Sequence, residues 1–242
     1  MTTDDDLLEQ VESFAASLTT TLRAVLADVE PLTATTAPGG FGVTTADPAG
    51  YSLTRAGQPF LRLRVRFVCG WDRHRHFVRV DRSEVHLLPA DSTRPVIRYE
   101  FDGGTTDRIP SAHVHVHTDD PNVVGLLASG AGQSQRARRH AKKAAKGKAQ
   151  HADIHLPVGG PRFRPTLEDV LQLAVEELGC DAQEGWHHHL ADGREEYRRK
   201  QTRTVVRDAP EEAVAALERL GYTVTPPPAG GPEDRRDRLR EL

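Results

Sequence analysis

Cysteine, methionine, tryptophan and lysine are scarce in this chain of 242 residues. Its two cysteines, Cys69 and Cys180, lie far apart and in no metal or redox spacing. That excludes a disulfide framework and makes a reducing compartment the default. No apolar run approaches the roughly 18 residues of a membrane helix. The opening Met1-Thr2-Thr3-Asp4-Asp5-Asp6 has the wrong charge for a secretory signal. The expectation is therefore a cytoplasmic protein without a membrane partner. Aromatic residues are only 5% of the chain, too few for a platform that stacks single-stranded bases. There is no P-loop, no GxSxG and no HExxH. With 37% hydrophobic and 28% charged residues, the chain is lean for a globule yet too apolar for full disorder. A core of Leu and Val is expected.

The net charge of −3 hides an asymmetry. Seven of the 32 basic residues lie between Arg136 and Lys148, with no acid among them. The remainder carries 25 basic and 35 acidic residues, so an acidic body bears one basic segment. Within it, Arg136, Arg138, Arg139, Lys142 and Lys143 are candidates for phosphate contact by counterion release, without base reading. A solvated linker or a flap held by the acidic body is the alternative.

The order of elements predicts an α+β fold: an antiparallel meander of about five or six strands between a long N-terminal helix and a C-terminal helical segment. Residues 1–30 form an amphipathic helix, with Leu7, Val11, Phe14, Leu18, Leu22, Val25 and Val29 recurring every three or four positions. Pro31 ends it, and residues 31–50 read as a loop. The sheet core with its helix spans 51–180, with strands at Tyr51–Arg55, Leu61–Cys69, Phe77–Val80, Glu84–Leu88, Val96–Phe101, Ala112–Thr118 and Asp153–Val158. It contains the basic insert at 133–150, and Thr166 caps a helix over Leu167–Leu178. A helical extension covers 181–225, and 226–242 is expected to be disordered.

His113-Val114-His115-Val116-His117 is the most informative stretch. In a strand all three imidazoles share one face and both valines the other. Histidines at i and i+2 can chelate a metal, usually zinc, with further ligands from a neighbouring strand. Asp153 and His155 share a face of the next predicted strand. Alternatively, two imidazoles act as general base and general acid on either side of a phosphate, with Arg62 or Arg64 binding it if that face matches. A merely polar sheet face is the plain alternative. Trp186-His187-His188-His189 reads as a helix surface, since consecutive helical residues point apart. His74 and His76 read as a solvated edge.

Arg98-Tyr99-Glu100-Phe101-Asp102, Ile109-Pro110-Ser111-Ala112-His113-Val114-His115-Val116-His117 and Pro165-Thr166-Leu167-Glu168-Asp169-Val170-Leu171 follow one another in an order that resembles the TumE-type toxins of bacterial toxin–antitoxin pairs. The resemblance covers about residues 60–178. It does not extend to the long first helix, the basic insert or the C-terminal third. It implies a growth-inhibiting toxin directed at RNA or the translation machinery, with His113 and His115 at the site and Tyr99 nearby. The expected function is a cytoplasmic toxin-like protein acting on RNA, with His113, His115, His117 and Tyr99 as catalytic candidates and His113, His115, His155 and Asp153 as metal candidates. A non-catalytic module that binds an antitoxin or other partner through the Leu7–Val29 stripe, or pairs as a homodimer, is the alternative. A zinc-dependent small-molecule hydrolase is another.

Overall fold

The computed structural model describes residues 3–73, 75–104, 109–117, 135–150, 153, 156–158 and 162–240. Its architecture is α+β. Helix α1 runs over Asp4–Arg23. The strands are β1 Thr33–Ala37, β2 Gly40–Thr44, β3 Tyr51–Arg55, β4 Gln58–Trp71, β5 Val78–Pro89, β6 Ile97–Asp102, β7 Ala112–Val116 and β8 Leu156–Pro157. The remaining helices are α2 Gln135–Ala144, α3 Leu167–Glu176, α4 Trp186–Asp208, α5 Pro210–Arg219 and α6 Arg236–Leu239. No described helix is long and apolar enough to cross a membrane.

Helix α1 starts where its chemistry says it should. The Thr3 hydroxyl accepts the Asp6 N–H at 3.2 Å, and the Asp6 carboxylate accepts the Thr3 N–H at 2.6 Å. Three aspartates in its first turn meet the positive end of the helix dipole. It stops at Arg23, earlier than the stripe suggested. The Val25 carbonyl accepts from Gln183 N–H at 3.0 Å instead of continuing the helix. Even so, Val25, Leu26 and Val29 stay in the core with Leu7, Val11, Leu18 and Leu22. The stripe is therefore covered by the chain's own sheet and by α3, and is not a free surface for a partner. Phe14 meets Phe67 of β4 edge to face, with ring centroids 5.3 Å apart.

The sheet has eight antiparallel strands in the order β1-β2-β4-β5-β6-β7-β8, with β3 also on β4. That exceeds the five or six expected, because β1 and β2 lie in the stretch read as a loop. Their hairpin turns on Pro38-Gly39, with Gly39 at φ 83°. Proline then glycine at the two central turn positions is a turn signature, and the Thr-rich flanks suit an edge hairpin. The 14-residue β4 carries β3 on Gln58–Leu63 and β2 on Arg66–Cys69 along the same edge. The β2–β3 loop crosses tightly at Gly50. A Cβ there would lie 2.5 Å from the Leu63 carbonyl oxygen.

Two expected strands, Phe77–Val80 and Glu84–Leu88, are one continuous β5, because Arg82 and Ser83 keep pairing with β4 past a bulge at Asp81. The strand expected at Asp153–Val158 shrinks to Leu156–Pro157, with residues 154 and 155 outside the described set. Thr166 caps α3 through a capping box with Asp169. The segment 226–242 is not without order: α6 forms, Arg235 N–H donates to the Asp208 carbonyl at 2.8 Å, and its guanidinium lies 3.3 Å from the buried Asp208 carboxylate. Asp208 also holds Arg162 at 2.7 Å.

Candidate metal centre

Alternation in β6 sends Tyr99 and Phe101 to one face and Arg98 and Glu100 to the other. In β7 it sends Val114 one way and His113 and His115 the other. The register joins these choices. Arg98 faces His115, Glu100 faces His113 and Tyr99 faces Val114. Extended across β5 to β4, one cross-strand row reads Arg64, His86, Arg98, His115. The next reads Arg66, Glu84, Glu100, His113. The arginines of β4 and the histidines of β7 thus share one face.

Glu100 is the hub. Its Oε2 lies 3.3 Å from His113 Nε2 and 3.4 Å from His115 Nε2. Its Oε1 lies 3.1 Å from His86 Nε2 and 3.3 Å from Arg98 Nη1. His113 and His115 are buried, 6% and 3% exposed. Their rings meet edge to face, with centroids 4.9 Å apart. Burial pushes the Glu100 carboxyl up. The hydrogen bonds of His113, His115 and His86 and the Arg98 charge outweigh burial and hold it well below the usual carboxylate range.

His113 is fixed from behind. Its Nδ1 sits 2.8 Å from the Pro110 carbonyl. A carbonyl only accepts, so Nδ1 carries the proton. With Nδ1 so engaged, Nε2 meets the Glu100 carboxylate either through a second ring proton or through a cation shared between them. A backbone carbonyl on the far nitrogen is also how metal-ligating histidines are oriented.

The spacing bears on the metal chemistry. Ligands about 2.0–2.1 Å from a tetrahedral zinc stand about 3.3–3.4 Å from one another. The two Nε2–Oε2 separations, 3.3 and 3.4 Å, have that length, and one donor atom from each of Glu100, His113 and His115 lies within 4.8 Å of the others. An acid–base pair would need its imidazoles on opposite sides of a phosphate. Here both Nε2 atoms lie beside the same carboxylate oxygen.

The remaining candidates fall out as follows. Tyr99 is on the apolar face opposite Val114 and packs against the core, where burial raises its hydroxyl pKa. It is not a catalytic group at this centre. His117 is half-buried and its ring nitrogens have no hydrogen-bond partner among the described residues. Burial, then the charges of Arg98 and Arg94, lower its pKa. Asp153 is not a ligand. It pairs with Lys143 and accepts from Gln150 N–H at 3.0 Å, because the residue lies before β8 and not within a strand. His155, like Asp119 and His74, lies outside the described residues.

Arg62 donates to the Ser92 carbonyl, and Arg66 pairs with Glu84 at 3.6 Å. Arg64 has neither hydrogen bond nor ion pair among the described residues. Arg136, Arg138, Arg139, Lys142 and Lys143 lie on α2. Arg138, Arg139 and Lys142 are exposed, and Lys143 is spent on Asp153. The end of this segment meets the β5–β6 loop, where Gln150 accepts from Arg94 at 3.1 Å.

Glu100 and His86 were not among the sequence candidates. The available signal was the alternation Arg98-Tyr99-Glu100, which puts a carboxylate on a polar strand face. Which strand it would face needed the register. No protein-family model matches the chain, and no curated protein or solved structure matches it either.

Proposed function

We propose that this protein is a toxin-like, metal-dependent hydrolase acting on RNA, with Glu100, His113 and His115 as the metal ligands. One observation carries the reading: two imidazole Nε2 atoms converge on one carboxylate oxygen at tetrahedral ligand spacing, with His113 oriented by Pro110. Two histidines and a glutamate form a set used by catalytic zinc, with a fourth position left for water. Bound there, the metal would supply a hydroxide at neutral pH and polarise the oxygen under attack.

The chain's own groups do the rest. Pro110 fixes the His113 tautomer, and His86 and Arg98 hold the other oxygen of Glu100. The valines of β7 face the other side of the sheet from the imidazoles. RNA as substrate rests on the TumE-type order of motifs, the basic segment and the arginines on the same face.

Metal content of freshly purified, untagged protein tests the centre, with His113→Ala/His115→Ala beside it. About one transition metal per chain is expected, as a single such site requires, and none in the double variant. RNA cleavage should vanish with it. A metal-free wild type that still cleaves RNA, or cleavage untouched in the double variant, would sink this reading.

A further inference from the structure

Charge on the polar sheet face does not balance within the face. Across the two rows and the neighbouring pair Arg62–Leu88, the cations are Arg62, Arg64, Arg66 and Arg98, and the carboxylates are Glu84 and Glu100. Glu84 is taken by Arg66, and Glu100 by Arg98 and the imidazoles. Among the described residues, Arg62 and Arg64 have no carboxylate partner. Both are half-buried, so water solvates them only in part. The Nε atoms of Arg62, Arg64 and Arg98 are all buried with no hydrogen-bond partner among the described residues. Partly desolvated cations without an anion are costly, and unmade donors on guanidinium forks add to that cost.

We propose that Arg64, with Arg62 and Arg98, forms a phosphate subsite beside the Glu100–His113–His115 centre. The inference rests on the hydrolase reading and adds how the substrate is held. Arg64 and Arg98 lie in the same row on either side of His86, so their Cα atoms are two strand spacings, about 10 Å, apart. A tetrahedral anion held over His86 can be gripped from both sides by guanidinium forks, and planar forks match phosphate oxygens in pairs. His115 ends that row. A phosphate on Arg64 and Arg98 therefore lies next to the metal ligands, as the phosphate neighbouring the scissile one would in a nucleic-acid strand.

Arg64 is the residue to change, because its guanidinium makes no hydrogen bond or ion pair among the described residues. Inorganic phosphate is titrated into zinc-loaded wild type, Arg64→Gln and Arg66→Gln, with zinc content and circular dichroism measured on each. Arg66 serves as the control because it is exposed and already paired. The expected result is phosphate binding weakened at least tenfold in Arg64→Gln, the scale of losing charge-assisted hydrogen bonds, with zinc content and fold unchanged. Arg66→Gln should stay within about twofold, as exposed pairs contribute little, and Arg64→Lys should recover part of the loss.

Equal phosphate affinity in wild type and Arg64→Gln overturns the subsite, and so does a zinc-loaded wild type that binds no phosphate. A chain that binds no zinc, yet loses phosphate affinity in Arg64→Gln, keeps the subsite and removes the metal reading.

Discussion

The two faces of the sheet are built from the same strands and live by different rules. On one, Leu61, Leu63, Val65, Val85, Leu87 and Phe101 are buried, and α1 and α3 close over most of this face. On the other, Arg62, Arg64, Arg66, Glu84, His86, Arg98, Glu100, His113 and His115 stand at the intervening positions. Apolar contacts are many and individually replaceable, so the first face tolerates volume-conserving change. The second depends on a few polar pairs at fixed distances, where one lost group leaves its partners stranded. The strand register couples them. Slipping β7 by one residue would put the imidazoles in the core and the valines on the centre.

Substitutions on the two faces should separate stability from binding. The largest effect belongs to the apolar face: Leu87→Ala, at a fully buried position, should cost about 2–5 kcal/mol in urea unfolding, with zinc binding retained by the folded fraction. On the polar face, His86→Ala should leave the unfolding midpoint nearly in place. It should weaken zinc affinity about 10–100-fold, as loss of an outer-shell partner does; competition with a chelator reads this. An unchanged affinity would show that His86 does not orient Glu100.

Smaller effects test the frame. Thr166→Ala removes the α3 cap and should cost about 1 kcal/mol, readable in the same urea series. Asp181 accepts from Gly57 N–H at 2.8 Å, Thr54 hydroxyl at 2.7 Å and Ala56 N–H at 2.9 Å. These bonds hold its pKa below the ordinary 3.8. Its contribution is therefore whole above pH 4 and lost as pH falls further. The stability gap between wild type and Asp181→Asn should narrow in acid melts. Tyr99→Phe should do least, leaving both metal content and RNA cleavage unchanged. A large loss of cleavage would return the tyrosine to the site.

Much of this was written locally. The 3.6-residue stripe of α1, the alternation of β4 and the Thr166 cap are patterns of neighbouring residues; the alternation and the cap appear as read, and α1 forms but ends at Arg23. The His-x-His pair was legible for the same reason. What escaped was non-local or depended on turn chemistry. Glu100 meets His113 and His115 only because β6 lies beside β7 in one register. Tyr99, one residue away, is thrown to the opposite face by the same pleat. The β1–β2 hairpin hid behind its Thr and Pro-Gly content, and the union of the two β5 fragments behind the charged run Asp81-Arg82.

The Asp208 cluster bears on where this chain can be cut or extended. Residues 226–235 are Pro- and Gly-rich, and composition alone would nominate them for removal. Yet Arg235 is one of two guanidinium groups on a carboxylate whose side chain is only 4% exposed. Truncation at Gly230 would leave Arg162 as the one counter-charge among the described residues at the end of α4. A fusion that respects the fold therefore joins beyond Arg240, and a shortened form of this protein begins its design at Asp208.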